Sequence, residues 1–276
     1  MTMAIGRFAP SPTGDLHLGN IRTAMAAHAS ARAKGGRFLV RFEDLDRVTS
    51  SRDIAARQLH DLATAGITWD EEPVFQSDRF DKYGDAIANL QERGLVYECY
   101  CSRREIREAA RAPHGNDAVY PGTCRDLSDA VRAERRHERP PALRLRSDRT
   151  PLTFVDEGRG PVSGVTDDVV LRRNDGVPAY NLAVVVDDAL QGVTEVVRGE
   201  DLLSVTPSQI ALQRLLGRPT PRYHHVPLMR GPDGERLSKR HGSVTLTDLV
   251  AEGRTVDDVI DWLREDLRAW WPYGKP

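Results

Sequence analysis

The chain has 276 residues with a formal net charge of −2, 39% hydrophobic and 29% charged, the proportions of an ordinary soluble domain or a domain with a sizeable insertion. No apolar run reaches about 18 residues, and the opening MTMAIGRF lacks the basic, apolar and small-residue segments of a secretory leader, so the expected location is the cytoplasm and no membrane contact is expected. The near-neutral balance does not announce a nucleic-acid partner, although local patches rather than total charge carry that footprint.

The first element in the chain is GRFAPSPTGDLHLGN (6–20), a short apolar lead into a turn stiffened by prolines and loosened by glycines, opening onto the helical pattern IRTAMAAHASARA. GRFLVRFE (36–43) reads as a buried strand that ends in the acidic group Glu43, Asp44 and Asp46. Residues 52–65 and 80–94 carry helical spacing, stopped by Gly66 and Gly94. Strands alternating with helices predict an α/β fold with a doubly wound parallel sheet. From 99 to 191 proline and arginine are frequent, and short β-like pieces appear at 142–146, 152–156, 169–173 and 182–190. This reads as an inserted α+β subdomain between two catalytic halves, 1–98 and 192–246. A helix over 207–216, a strand near 224–231 and a helical tail over 247–276 complete the pattern.

A strand, a Gly/Pro turn and a helix start make a place for anions, because the first-turn N–H groups and the helix dipole favour phosphate. The stretch fits neither the Walker nor the dinucleotide-binding fingerprint. It offers His17 and Asn20, three apart, with Gly19 allowing close approach to the backbone. The plainer alternative is that Asp15 or Thr13 caps the helix and His17 is a surface histidine. Near the other end, ERLSKRHGS (235–243) places Lys239 between Ser238 and Arg240, a grouping suited to neutralising a departing pyrophosphate.

With these motifs in order, the chain resembles the catalytic core of class I aminoacyl-tRNA synthetases: HLGN (17–20) stands for the HIGH signature and RLSKR (236–240) for KMSKS. RFAPSPTGDLHLGN, RFEDLD (41–46), AYNLAVVVDD (179–188) and VRGEDLL (197–203) are similar to glutamyl-tRNA synthetases in particular. About 35 residues follow the RLSKR loop, too few for the helical anticodon-binding domain of the full-length enzymes, and the insertion carries CYC (99–101) and YPGTC (120–124). Both features resemble the truncated paralogues, the glutamyl-Q tRNA(Asp) synthetases. That resemblance implies activation of glutamate with ATP without tRNA. Transfer of the glutamyl group to the queuosine base in the anticodon of tRNA(Asp) follows, in a chain expected to be a monomer.

Adenylation needs charge neutralisation and positioning more than a general base, since the attacking carboxylate is already an anion. The resemblance assigns His17, Asn20 and Lys239 to catalysis, and His17, Gly19, Asn20, Ser238 and Lys239 to ATP, which brings Mg²⁺ held mainly by phosphate and water. For glutamate, Arg7 and Arg198 are guanidinium forks for carboxylates, Glu43 is the ammonium partner, and Tyr180, Ser11 and the backbone of Ala9 complete the set. The three cysteines, Cys99, Cys101 and Cys124, are an odd number that argues for thiols or a metal rather than disulfides. Structural zinc wants four ligands. By chemistry alone His114 is the better fourth, whereas the family pattern places Tyr120 there. Asn20 replaces the last histidine of HIGH, and Leu237 the methionine of KMSKS.

Three readings compete: the tRNA-modifying ligase, a conventional glutamyl-tRNA synthetase core charging a tRNA 3′ end, and an inactive module that only binds. The arginines crowded into 104–111, 131–146 and 171–173 are either a surface for an anticodon stem or a solvated face of Glu–Arg pairs.

Overall fold

A computed structural model describes residues 3–102, 104–106, 119–229 and 244–268. The apolar run of the second strand predicts burial on both faces, and β2 (Arg37–Phe42) is buried along five of its six positions. It lies parallel between β1 (Ile5–Phe8) and β3 (Val74–Phe75). The helices between these strands are α1 (Leu18–Ala33) and α2 (Arg52–Thr64). Then come α3 (Phe80–Glu92) and β4 (Val96–Cys99).

The region 99–191 is divided between two sheets. β4 pairs antiparallel with β5 (Ala142–Leu145), which pairs with β8 (Val170–Arg172), forming a small sheet beside the exposed helix α4 (Asp129–Glu138). The hairpin of β6 (Pro151–Asp156) and β7 (Gly160–Val165) instead joins the parallel strands β9 (Glu195–Gly199) and β10 (Arg222–Val226), in the order β7-β6-β10-β9. Where β1 meets β9, the Thr194 N–H donates to the Ile5 carbonyl at 2.9 Å and the Ile5 N–H donates to Thr194 Oγ1 at 2.8 Å. Strand order therefore reverses between β1 and β9. The crevice beyond the carboxyl ends at such a reversal is where open α/β sheets bind ligands.

One sequence expectation is corrected. Residues 182–190 form no strand; they belong to α5 (Tyr180–Leu190). Leu182, Ala183 and Val184 to Val186 are all buried, with α3, α6 (Thr206–Leu215) and β8 packed around the helix. A helix enclosed on several sides has no polar stripe, so its apolar run mimics a buried strand. The main core joins α1, β1 and β2 to α8 (Val256–Arg268), which follows the short α7 (Leu246–Ala251). No helix among the described residues is long and apolar enough to cross a membrane.

Candidate active site

The turn after β1 is held open by polar contacts. The Glu43 N–H donates to the Pro10 carbonyl at 2.9 Å, and the Ser51 N–H to that of Pro12 at 3.0 Å. Gln58 on α2, 1% exposed, donates its amide to the carbonyls of Ser11 and Gly14 at 3.2 and 2.6 Å. This segment walls one side of a cleft of about 780 Å³ at the β1/β9 reversal. Arg7, Ala9, Ser11, His17, Gly19, Asn20, Glu43, Tyr180 and Arg198 all line it. Ser238, Lys239 and the rival zinc ligand His114 lie outside the described residues. The chain on either side of 230–243 meets the cleft: Met229 lines it, and the Val244 carbonyl accepts the Leu18 N–H at 3.0 Å.

His17 is itself the N-cap of α1. Its Nδ1 accepts the Asn20 N–H at 3.2 Å, so a neutral ring carries its proton on Nε2, the nitrogen able to donate. Of the other capping candidates, Asp15 is engaged elsewhere, pairing with Arg57 at 2.8 Å, and Thr13 lies four residues before the cap, in a turn its N–H closes onto the Ser11 carbonyl. No acidic side chain stands in the first turn, which leaves the positive end of the helix uncompensated and suited to an anion. Gly19 makes room for the imidazole, since a Cβ there would sit 3.1 Å from Nδ1.

The opposite end is rich in buried charge. Arg7 Nε donates to Asp188 Oδ1 at 3.2 Å, and Arg41 Nη1 donates to the same oxygen at 2.7 Å and to Gln191 Oε1 at 2.8 Å. Arg41, with no exposed surface, stands 3.6 Å from Glu43. Burial pushes the Glu43 carboxyl up to about 7, against the pull of Arg41 and Arg7. The same burial acts on Asp188, but Arg7 and Arg41 outweigh it and hold that carboxyl below its usual range. Burial and the Glu43 charge raise the Tyr180 phenol. Arg41, Gln58, Asp187 and Asp188 escaped sequence reasoning. They were given no role there, although Arg41 opens RFEDLD and the paired aspartates close AYNLAVVVDD.

Away from the cleft, the sulfurs of Cys99, Cys101 and Cys124 lie within 4.8 Å of one another. Cys101 and Cys124 Sγ are 3.5 Å apart, and the Tyr120 hydroxyl is 3.3 Å from Cys99 Sγ and 3.5 Å from Cys101 Sγ. Sulfurs about 2.3 Å from one tetrahedral ion stand roughly 3.7 Å apart, so the three cysteines could hold a metal. Hydrogen bonds from Cys101 and Cys124 drive the Cys99 thiol toward its thiolate. The arginines of α4 and its flank are self-paired: Arg132 with Asp129, Arg135 with Glu138, Arg136 with Glu98 and Arg139 with Glu105.

The class follows from fold, cleft and sequence together: residues 4–264 match the family "tRNA synthetases class I (E and Q), catalytic domain", and the chain belongs to it. Among its relatives, the glutamyl-Q tRNA(Asp) synthetase of Nocardia farcinica is 59% identical over 95% of this chain and 84% of its own length. That of Cutibacterium acnes is 52% identical over 96% and 76%. A glutamate–tRNA ligase of Oleidesulfovibrio alaskensis is 42% identical over 99% of this chain and 58% of its own length. The glutamate-tRNA synthetase structure from Elizabethkingia anophelis superposes with a TM-score of 0.76 at 29% identity, over 87% of this chain and 53% of that one. The chain thus spans about half the length of that solved enzyme.

Proposed function

We propose that this protein activates glutamate with ATP to glutamyl-adenylate without tRNA and transfers the glutamyl group to the queuosine base in the anticodon of tRNA(Asp). The observation that carries the chemistry is one cleft joining an uncompensated helix N-terminus to two buried arginines, Arg7 and Arg198, and the half-buried carboxylate of Glu43. The choice of acceptor rests on the similarity to glutamyl-Q tRNA(Asp) synthetases.

In this reading a glutamate carboxylate oxygen attacks the α-phosphorus of ATP while the bond to pyrophosphate breaks. His17 Nε2–H and Asn20 hold phosphate oxygens. The resemblance gives Lys239 and Ser238 the pyrophosphate. Arg7 and Arg198 take the carboxylates, with Tyr180, Ser11 and the Ala9 backbone around them. Mg²⁺ would accompany the nucleotide. The acceptor then attacks the activated carbonyl, and AMP leaves. The test is glutamate-dependent ATP–pyrophosphate exchange without tRNA, followed by mapping labelled glutamate on a set of tRNAs. Label on queuosine-containing tRNA(Asp) is expected. Label at a tRNA 3′ end would favour the conventional synthetase.

Glu43 makes the amino-acid step pH-dependent. An ammonium partner must be ionised, so KM for glutamate rises as pH falls below about 7, approaching tenfold per unit, and Glu43→Gln removes that slope. The sign for stability is the reverse. In the ligand-free protein the raised carboxyl favours folding most below its ordinary 4.5 and gives this up as pH climbs through about 7. A KM that stays flat from pH 5.5 to 8 in exchange assays would contradict the assignment.

Structural zinc is proposed for Cys99, Cys101, Cys124 and Tyr120, where the ion would staple the segment after β4. About one zinc per chain is expected by elemental analysis, falling to near zero in Cys101→Ser. Full metal content in that variant would exclude the site.

A further inference from the structure

Among the described residues, Arg198 is a buried cation that forms no ion pair. It is 5% exposed, yet its partners among the described residues are all neutral. Nε donates to His225 Nε2 at 3.1 Å, and Nη2 donates to Thr206 Oγ1 at 2.8 Å and, at the limit of a hydrogen bond, to the Leu202 carbonyl at 3.5 Å. Arg7 is different, because Asp188 already pairs with it. A buried guanidinium with neutral partners keeps its full charge for a ligand.

A carboxylate does stand nearby, one side chain removed. Asp156 Oδ2 accepts both His225 Nδ1–H at 2.7 Å and the His225 backbone N–H at 3.0 Å. Its Oδ1 accepts the backbone N–H groups of Gly158 and Arg159 at 3.0 and 3.1 Å. These donors occupy Asp156 fully and fix the histidine tautomer: Nδ1 carries the proton, and Nε2 presents a lone pair to Arg198. Thr206 sends its own hydroxyl hydrogen to the Leu202 carbonyl at 3.0 Å, so it too faces Arg198 as an acceptor. The Tyr223 ring lies 5.3 Å from the guanidinium and stacks on His225.

We propose that His225 and Asp156 are positioning residues for amino-acid recognition: together they aim the Arg198 guanidinium into the cleft and leave its charge for the substrate carboxylate. This rests on the proposed activation of glutamate. An aspartate in place of His225 would pair with Arg198 and cancel the charge. A protonated imidazole would set a donor against a donor. The groups facing His225 are Asp156 from β6, Arg198 from β9 and Arg159 from the β6–β7 turn, with the uncharged Thr206, Tyr223 and Phe154. Burial pushes the imidazole below its usual value, assisted by Arg198 and Arg159 and opposed by Asp156, which keeps it neutral at neutral pH.

The test is pyrophosphate exchange with the full chain, with KM for glutamate, KM for ATP and kcat measured separately. His225→Phe keeps a flat ring and removes the acceptor. KM for glutamate should rise roughly tenfold or more while KM for ATP stays within about twofold. His225→Gln restores an oxygen near the Nε2 position and should recover most of that loss. Asp156→Asn frees the tautomer and should resemble His225→Phe. Unchanged glutamate KM in His225→Phe and Asp156→Asn, with normal exchange in the wild type, would overturn this inference alone. Parallel loss in Phe and Gln variants, with both KM values rising together, would also overturn it, as a merely structural role predicts. If His225→Phe does not fold, Asp156→Asn against His225→Gln makes the same comparison. Wild-type protein lacking glutamate-dependent exchange would overturn the functional reading and this inference with it.

Discussion

Arg7→Ala is expected to lower kcat/KM for glutamate in pyrophosphate exchange by about a hundredfold or more, with KM for ATP nearly unchanged. Two hydrogen bonds from a guanidinium to a carboxylate, each worth about 1.5 kcal/mol or more, set that size. The fold should tolerate the change. Asp188 loses one partner but keeps Arg41 Nη1 at 2.7 Å, so no buried carboxylate is stranded. Arg7→Lys should recover little, because an ammonium cannot offer two parallel donors while also holding Asp188. A loss below about fivefold in either variant would show that Arg7 serves the Asp188 network and not the substrate. Thermal melts close to wild type would separate this from unfolding.

Asp187→Ala should behave in the opposite way and act on stability first. Asp187 has no exposed surface and gathers three side chains from α3 and the segment leading into it: Tyr83 OH donates to it at 2.7 Å, Gln76 Nε2 at 2.9 Å, and Arg79 Nε lies 3.0 Å away. Arg41 Nε is a further 3.8 Å contact. Removing one member of a buried ionic cluster leaves the others desolvated without a partner, at a cost of about 3–5 kcal/mol. For a chain of this size that corresponds to a fall of roughly 10 °C in Tm. Calorimetry or circular dichroism would read it directly. A shift under about 2 °C would mean that water or rearrangement satisfies Arg41, Arg79 and Tyr83 after all. Because α5 carries both Asp187 and Asp188, lost stability here should precede lost glutamate affinity as temperature rises.

The sequence announced the cleft well because its chemistry is local. Arg7, Ser11, His17 and Asn20 fall within one turn and one helix start, and Glu43 ends the next strand, so motif spacing alone places them together. The supporting polar groups were invisible for the converse reason. Arg7 and Asp188 are 181 positions apart, Arg41 and Asp188 are 147, and His225 and Asp156 are 69. A single sequence carries no signal for pairing at such distances. Strand β3, two residues long, is too short to express a period. Of the hairpin β6–β7 only the first strand was legible, since GPVSGV carries two glycines and a proline, and which sheet receives the pair depends on tertiary packing. The arginines of 131–139 had two sequence readings, and the observed Glu and Asp partners favour the self-paired face.

Arg22, one turn beyond His17 in α1, reaches Asp266 on α8 at 2.5 Å, a link across 244 positions, and its other nitrogen donates to the Pro227 carbonyl beside the cleft. During synthesis, at about 5–20 residues per second, the helix that caps itself with His17 must therefore wait on the order of ten seconds or longer for Asp266. Until then the α1 surface that will meet Val259, Ile260 and Leu263 remains uncovered. The helix start that lines the cleft is thus among the first segments made and, among the described residues, leans on one of the last, so a nascent chain stalled before Asp266 would carry the His17 turn without that support.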